Sequence, residues 1–477
     1  MKVFNIDKLP ILVGIDPWYG HEYHELRAIG RIKETIARIP VAPRLLYHRM
    51  VNLAIGSFDK LKEISAGEWM EIFCKAAKRI RSGEWEVESI MPPLSEYVRI
   101  VSLVSGLPEY RILKANETLA EDLERMETIL KAQSPDGTLA PYQTWKSGGH
   151  WLWVPAGQMA AVRIPGNFPT INIMWLQVLS MRRPVTLLAS MQDPFTPLRL
   201  AFALYAAGLP DGAISVCYGD APALLSMANQ IIWPGNPPAD LLVEEGRLLC
   251  YHQGKSKVVI LSNSTVSNLW ERLAIMAMKA SGRICTKLSA LIVEKNVDLA
   301  ASSLAKQIAK FSPLPLHHPK AFVPAFHDAG VCRDLAYRIQ AAISRGAYDY
   351  SADVTKTPLI CESEGLYFMR PTVLRISSTD KLFGAELPFP FVTVAEVSKA
   401  DIPKICRNSL GVSLIGSDPD LLKELLLEPT ISKLFQGEDF DCQYDPSEPH
   451  QGFVADFIFK KKAVRIYSNF NMGGLKK

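Results

Sequence analysis

From residue 157 to residue 233, short apolar runs alternate with helix-length segments, and this alternation leaves few folds open. Residues 159–164, 185–188, 213–217 and 231–233 read as strands, each too continuously apolar to have one face in water. Between them lie helical stretches at about 172–181, 197–207 and 222–229, with a turn at Gly208-Leu209-Pro210-Asp211-Gly212. Strands joined by helices of this length make right-handed crossovers and a largely parallel sheet. The expectation is an α/β, doubly wound, Rossmann-type nucleotide-binding unit. The fingerprint G-x-G-x-x-G is absent, so a nucleotide would have to be held in another way.

At 477 residues the chain is too long for one simple core, and two or three domains are expected. A net charge of +4 over that length carries no nucleic-acid signal. The runs Lys460-Lys461-Lys462 and Lys476-Lys477 read as a solvated face and a tail. The first twenty residues lack the apolar core and cleavage site of a signal peptide, and no stretch is apolar enough to span a membrane. Eight scattered cysteines without a C-x-x-C pair fit reduced thiols, hence a cytoplasmic protein. The pairs His21/His24 and His317/His318 have no third ligand in sight, so no metal is expected.

Residues 1–40 read as irregular, and 44–133 as helices, the last with Leu119, Leu123, Met126, Ile129 and Leu130 on one face. Residues 138–156 read as an aromatic hairpin turning at Lys146-Ser147-Gly148-Gly149, either a subunit contact or a hairpin packed on its own domain. A second α/β unit runs from about 258 to 420, and residues 463–467 alternate like a strand. The expected division is a nucleotide-binding domain (1–137 and 157–257), a cysteine-bearing domain (258–435) and a hairpin arm (138–156 and 436–477).

Within the second unit, residues 255–293 read as a buried strand, a helix capped by Ser264 or Thr265, a turn after Gly282, then Cys285 and another strand. Leu269, Leu273, Met276, Ala277 and Ala280 form that helix's buried stripe. Cys285 sits where a sulfur can face a cleft. Arg283 and Lys287 either favour its thiolate or point to solvent, and inert packing is the competing account.

The order of short motifs resembles the aldehyde dehydrogenase superfamily from about Glu121 onward. Pro155-Ala156-Gly157 and Pro165-Gly166-Asn167-Phe168-Pro169 are similar to its P-x-G and P-W-N-F-P. Thr196-Pro197, Ala207-Gly208-Leu209-Pro210-Asp211-Gly212 and Gly219-Asp220 follow its T-P, A-G-x-P-x-G and G-D. Gly254-Lys255-Ser256 resembles G-G-K-S, Gly282 to Cys285 resembles G-Q-x-C, and Pro371-Thr372-Val373-Leu374 with Leu382-Phe383-Gly384 resembles P-T-V-L and I-F-G. The resemblance implies an aldehyde dehydrogenase-like fold with an oligomerisation arm, and a homodimer or homotetramer. It makes Cys285 the nucleophile and Asn167 an oxyanion donor beside the Cys285 backbone N–H. NADPH or NADH would be held at Pro165, Ser190, Gly235, Asn236 and Phe383, with Arg182 or Arg183 as further candidates.

The departures from the pattern carry as much. The family's general-base Glu falls at Tyr251, its ribose-binding Lys and the Glu three positions on fall at Leu188 and Met191, and the Glu of E-I-F-G-P falls at Lys381. Trp233-Pro234-Gly235-Asn236 replaces F-T-G-S. Without that base, hydrolysis of an acyl-cysteine loses its water-activating group, whereas reduction of an acyl thioester does not need it. The pattern therefore points to reduction of acyl-CoA or a carrier-bound acyl thioester to an aldehyde, and is similar to the fatty acyl-CoA reductases of luminescence. His252 could assist proton transfer or simply pack in a strand. Oxidation of an aldehyde with a different base, and a non-catalytic scaffold with a decayed cofactor site, are the alternatives.

Overall fold

A computed structural model describes residues 8–30, 34–83, 91–134, 151–219, 221–239, 241, 243–437, 440–441 and 444–463. Among these, two seven-stranded sheets dominate. The first is built from β1 (Ile11–Val13), β2 (Asp16–Trp18), β3 (Ala160–Ile164), β4 (Val185–Ala189), β5 (Ile214–Tyr218), β6 (Gln230–Pro234) and β7 (Leu248–Tyr251), in the order β7-β6-β3-β4-β5-β1-β2. From β7 across to β5 every pairing is parallel; β1 then closes the edge antiparallel. The chain steps from β3 to β4 to β5, then returns to the far side of β3 as β6. Strand order thus reverses between β3 and β6, and a crevice at such a reversal, beyond the carboxyl ends of the strands, is where this class of sheet binds ligands.

The sequence explains this half. Every residue of β4, β5 and β6 is buried, as expected of strands covered on both faces. The helix Ile173–Ser180 is buried at all its positions, wedged between the sheet and the N-terminal helices. Among those helices are α1 (Arg44–Glu63) and α2 (Ala66–Ser82); α2 starts in a Ser65/Glu68 capping box and ends at Gly83 with φ +70°. The Trp69 indole of α2 donates to the Ser180 carbonyl at 2.7 Å, fastening α2 to the helix Ile173–Ser180. Each fully buried large aliphatic side chain here contributes roughly 1.5–3 kcal/mol.

The second sheet contains β8 (Lys257–Ile260), β9 (Ala290–Val293), β10 (Thr372–Arg375), β11 (Phe391–Glu396), β12 (Ser409–Ile415) and β13 (Ile431–Gln436), in the order β10-β11-β9-β8-β12-β13 and parallel throughout; a seventh strand, Tyr348–Asp349, pairs antiparallel with β10 at the edge. Successive side chains of a strand point to opposite faces. Accordingly Val258 joins one apolar layer with Leu273 and Leu304, and Val259 joins the other with Val412 and Leu421. Trp151–Pro155 pairs antiparallel with Phe459–Ala463 in a two-stranded ribbon.

Three expectations are corrected. The described part of residues 1–40 is not irregular: Ile11, Leu12 and Val13 form the buried strand β1 between β5 and β2, and Tyr23–Arg27 pairs with Thr35–Pro40. The helix ahead of Cys285, Leu269–Met278, is not capped by Ser264 or Thr265. Ser264 N–H instead closes a turn onto the Leu261 carbonyl, and the helix begins after Asn268, which tolerates φ +51° as few other residues do. His252 lies just past the end of β7 and is exposed. The hairpin turn at 146–149 and the strand beyond residue 463 lie outside the described residues.

Candidate active site

After Met278 the backbone leaves the helix abruptly. Ala280, Ser281 and Gly282 take φ values of 44°, 58° and 74° in succession, a costly run of left-handed residues of the kind that gathers at functional sites. Only glycine fits at the third, because a Cβ on Gly282 would meet the Phe389 carbonyl carbon at 2.4 Å. The turn that follows presents Cys285. Its carbonyl accepts the Ser256 hydroxyl at 2.9 Å, and a Cβ on Gly254 would lie 2.2 Å from that same oxygen. The Gly254-Lys255-Ser256 segment is therefore the seat on which the cysteine turn rests.

Arg283 and Lys287 neither face solvent nor reach for the thiol. The Arg283 guanidinium donates to the carbonyls of Ser105 (2.6 Å), Ala325 (2.9 Å) and Pro388 (3.2 Å), and burial pushes its pKa down to about 10. Lys287 Nζ donates to the carbonyls of Leu387 and Phe389 at 2.8 and 3.0 Å. Burial lowers its pKa to about 8, a shift that the nearby Glu386 carboxylate opposes. Both cations clamp the turn to its surroundings.

Cys285 opens into a cavity of about 440 Å³. Asn167 arrives from the loop after β3, where Gly166 is obligatory because a Cβ would crowd Gln192 and Asp193 at 2.5–2.7 Å. Its Nδ2 donates to the Arg283 carbonyl at 2.7 Å, while its Oδ1 is buried without a partner. The amide is thus held two residues from the cysteine, from opposite walls of one site. Phe168, Ile171, Met174, Phe453 and Val454 give much of the lining its apolar character.

Sequence reasoning missed His450. Its Nε2 lies 3.3 Å from Cys285 Sγ across 165 residues of chain, a separation for which no local spacing gives a signal. The ring sits between Tyr251 and Tyr444, with centroids 6.0 and 5.1 Å away, and its Nδ1 is buried without a partner. Loss of water, helped by the positive Lys433, pushes the imidazole pKa down to about 4. Tyr251, at the position of the family's Glu, is raised by burial and stays a neutral phenol.

The cofactor candidates divide. Pro165 and Gly235 line the cavity, at the ends of β3 and β6 where strand order reverses. Ser190 and Asn236 follow the ends of β4 and β6 but are not among the described lining residues; Ser190 Oγ accepts the Gln192 N–H, and the Asn236 carbonyl accepts the Trp233 indole. Phe383 is packed into the second unit's apolar layers. In its place Glu386, five residues past Lys381, lines the cavity, with its carboxylate accepting the Lys255 N–H at 2.8 Å and its pKa raised by burial. Arg182 and Arg183 are wholly buried anchors: Arg182 donates to the carbonyls of Leu61 and Ile64, and Arg183 to those of Gly157 and Ile458. Leu188 is buried in β4 and Met191 packs against the same core. Among the described residues no group of three His, Cys, Asp or Glu could hold a metal ion, no disulfide forms, and no helix is long and apolar enough to cross a membrane.

Residues 245–409 match the family model described as Aldehyde dehydrogenase family. Malonate-semialdehyde dehydrogenase 2 of Oceanobacillus iheyensis is 23% identical over 386 residues, covering 77% of this chain and 76% of that protein. A probable methylmalonate-semialdehyde/malonate-semialdehyde dehydrogenase [acylating], mitochondrial, of Drosophila pseudoobscura pseudoobscura is 24% identical over 268 residues, 52% of this chain and 50% of that one. In structure, an NAD-dependent aldehyde dehydrogenase from Sinorhizobium meliloti superposes with a TM-score of 0.78 at 17% identity, over 98% of this chain and 96% of the other.

Proposed function

The chain has the aldehyde dehydrogenase fold, its residues 245–409 match that family, and on that premise we propose that it reduces an acyl thioester to an aldehyde through an acyl group on Cys285. The observation that carries this reading is Tyr251. A neutral phenol stands where the family has its water-activating Glu, so the acyl-cysteine is poorly equipped for hydrolysis and exchange with a thiol is favoured. A relative named as acylating supports thioester chemistry of this kind. The narrower likeness to the luminescence fatty acyl-CoA reductases rests on the motifs around Asn167 and Asp193.

In this reading Cys285 Sγ attacks the thioester carbonyl, and the oxyanion is received by the Cys285 N–H and by the Asn167 amide, which turns from the Arg283 carbonyl. The thiol of CoA or of a carrier protein departs. The crevice at the ends of β3 and β6 suits a nicotinamide nucleotide: Gly235 there has φ +92° and no atom within 4 Å of where a Cβ would stand, which leaves the backbone approachable. Pro165, Gly235 and Glu386 would hold NADPH or NADH, with Ser190 and Asn236 at the same strand ends. When bound, that cofactor supplies the hydride. The apolar lining suits an apolar acyl chain: Arg283 and Lys287 are spent on backbone carbonyls, and the third cation of the lining, Arg163, stacks on the Trp233 ring. The domain division at about residue 258 and an oligomerising role for the 151–155/459–463 ribbon, in a homodimer or homotetramer, belong to the same reading.

The test is direct. With octanoyl-CoA and NADPH or NADH the protein should consume the reduced nicotinamide and release octanal. Acid production from octanal and NAD(P) without CoA, with no reaction on the thioester, would establish aldehyde oxidation instead. Failure to bind either nucleotide would leave a scaffold.

A further inference from the structure

The proposed reaction needs a proton to leave one sulfur and arrive at another. The Cys285 thiol must lose its proton to attack, and the departing thiolate must gain one. The family's carboxylate is missing at Tyr251, and the groups around Cys285 that carry positive charge are pinned to carbonyls. What faces the sulfur is His450, Nε2 to Sγ at 3.3 Å, delivered by a loop from the far end of the chain and packed directly on the Tyr251 ring. We propose that His450 is the proton partner of Cys285, taking the thiol proton as the carbon–sulfur bond forms and giving it to the thiol that departs.

The balance closes within the pair. Cys285 S–H passes its proton to Nε2, and the S–C bond forms at the thioester carbonyl. The tetrahedral adduct collapses by breaking the bond to the CoA or carrier sulfur, and that sulfur leaves with the proton from Nε2. Imidazole is neutral before and after. Hydride transfer and release of the aldehyde then return Cys285 as a thiolate, which takes one proton from water, the proton that thioester reduction consumes.

The surroundings fit a transient rather than a standing charge on His450. Tyr251 of β7 and Tyr444 face the ring as neutral phenols, both raised by burial. The cation acting on the ring is Lys433 of β13, paired with Glu448 at 3.1 Å; Glu386, Lys287, Arg283 and Arg163 line the same cavity. Among the described residues Nδ1 meets no carboxylate, so nothing holds an imidazolium in place. Burial holds the ring neutral above about pH 4, so a ring nitrogen has a lone pair to meet the thiol proton, and the low pKa makes it release that proton readily to the departing thiolate. The tautomer that accepts at Nε2 leaves its N–H on the unpartnered Nδ1, so the neutral ring carries one unmet donor until substrate enters.

This inference rests on the thioester reading, and its test separates the two. Alkylation of Cys285 by iodoacetamide, followed by intact mass without any nicotinamide, reads the pair alone. In His450→Gln the rate should fall about tenfold per pH unit between pH 7 and 5, as for a thiol that must ionise unaided. The wild type should fall less steeply and exceed the variant most at pH 5, where unaided thiolate is scarcest. Formation of the octanoyl-enzyme from octanoyl-CoA should slow by about 10²–10³-fold in the same variant. Identical profiles in wild type and variant overturn the pairing even if the acyl-enzyme forms. A shallower wild-type profile with no acyl-enzyme from any thioester keeps the pairing and removes the reaction. His450→Asn, checked for native near-ultraviolet dichroism, substitutes if the Gln variant does not fold.

Discussion

Around Cys285 the neighbouring groups are committed: a Cβ on Gly254 or Gly282 would come within 2.4 Å of backbone atoms, and Arg283 and Lys287 are clamped to five carbonyls between them. Along the rim where β3, β4 and β6 end, the reverse holds. A Cβ on Gly235 would meet nothing within 4 Å, Asn236 is exposed, and two positions that carry charge in the family are the apolar Leu188 and Met191. A nucleophile must be placed by the protein to within fractions of an ångström, whereas a rim can be completed by the molecule it receives. On the proposed reading, the contrast teaches that the covalent half of the site is specified by packing and the cofactor half by whatever fills it.

The largest effect should come from Cys285→Ala, which removes the acyl-enzyme from intact mass spectra and lowers turnover about 10⁴-fold or more, with the fold unchanged. Next, Asn167→Ala should lower kcat by about 10²–10³-fold with little change in KM, since its amide is needed most when charge develops on oxygen. If KM moves instead, Asn167 only shapes the loop. Gly282→Ala should destabilise the protein by about 2–4 kcal/mol in urea unfolding, through the clash with Phe389 added to a left-handed backbone.

Two smaller effects sharpen the contrast. His450 has a folded pKa of about 4 against an ordinary 6.5. Between these values the unfolded chain holds a proton that the folded chain refuses, so this contribution is complete above pH 6.5 and is lost as the pH falls through 4. Stability should therefore drop by about 2 kcal/mol more in wild type than in His450→Gln across that window, measured by thermal unfolding. Smallest of all, Gly235→Ala should cost only about 1 kcal/mol, the strain of its positive φ. A loss equal to that of Gly282→Ala would erase the difference between the two regions.

Much of the first sheet was legible because strands buried on both faces are written as unbroken apolar runs, as in β4 and β5. Cys285, Asn167 and Gly254 were legible because each lies at the end of such an element, in a short motif. Three things were not. Ser264 and Thr265 have cap chemistry, but Ser264 closes a turn onto Leu261 and the helix begins only after Asn268, four residues beyond it. The apolar triplet Ile11–Val13 is too short to announce a strand until a neighbouring edge needs covering. The match of Leu382-Phe383-Gly384 to I-F-G drew attention to Lys381 and Phe383, whereas the carboxylate that reaches the cavity is Glu386, and only the fold shows which of two nearby registers faces inward.

The route by which His450 reaches the sulfur has a consequence during synthesis. A ribosome delivers the cysteine turn, its seat at residues 254–256 and strands β8 to β13 before it delivers the segment with the imidazole. On the proposed pairing, the thiol has no proton acceptor at its side until the segment bearing His450 docks, with Arg183 donating to Ile458 and Gln230 to Phe457. On that reading the thiol leaves the ribosome dormant, and docking of this segment arms it.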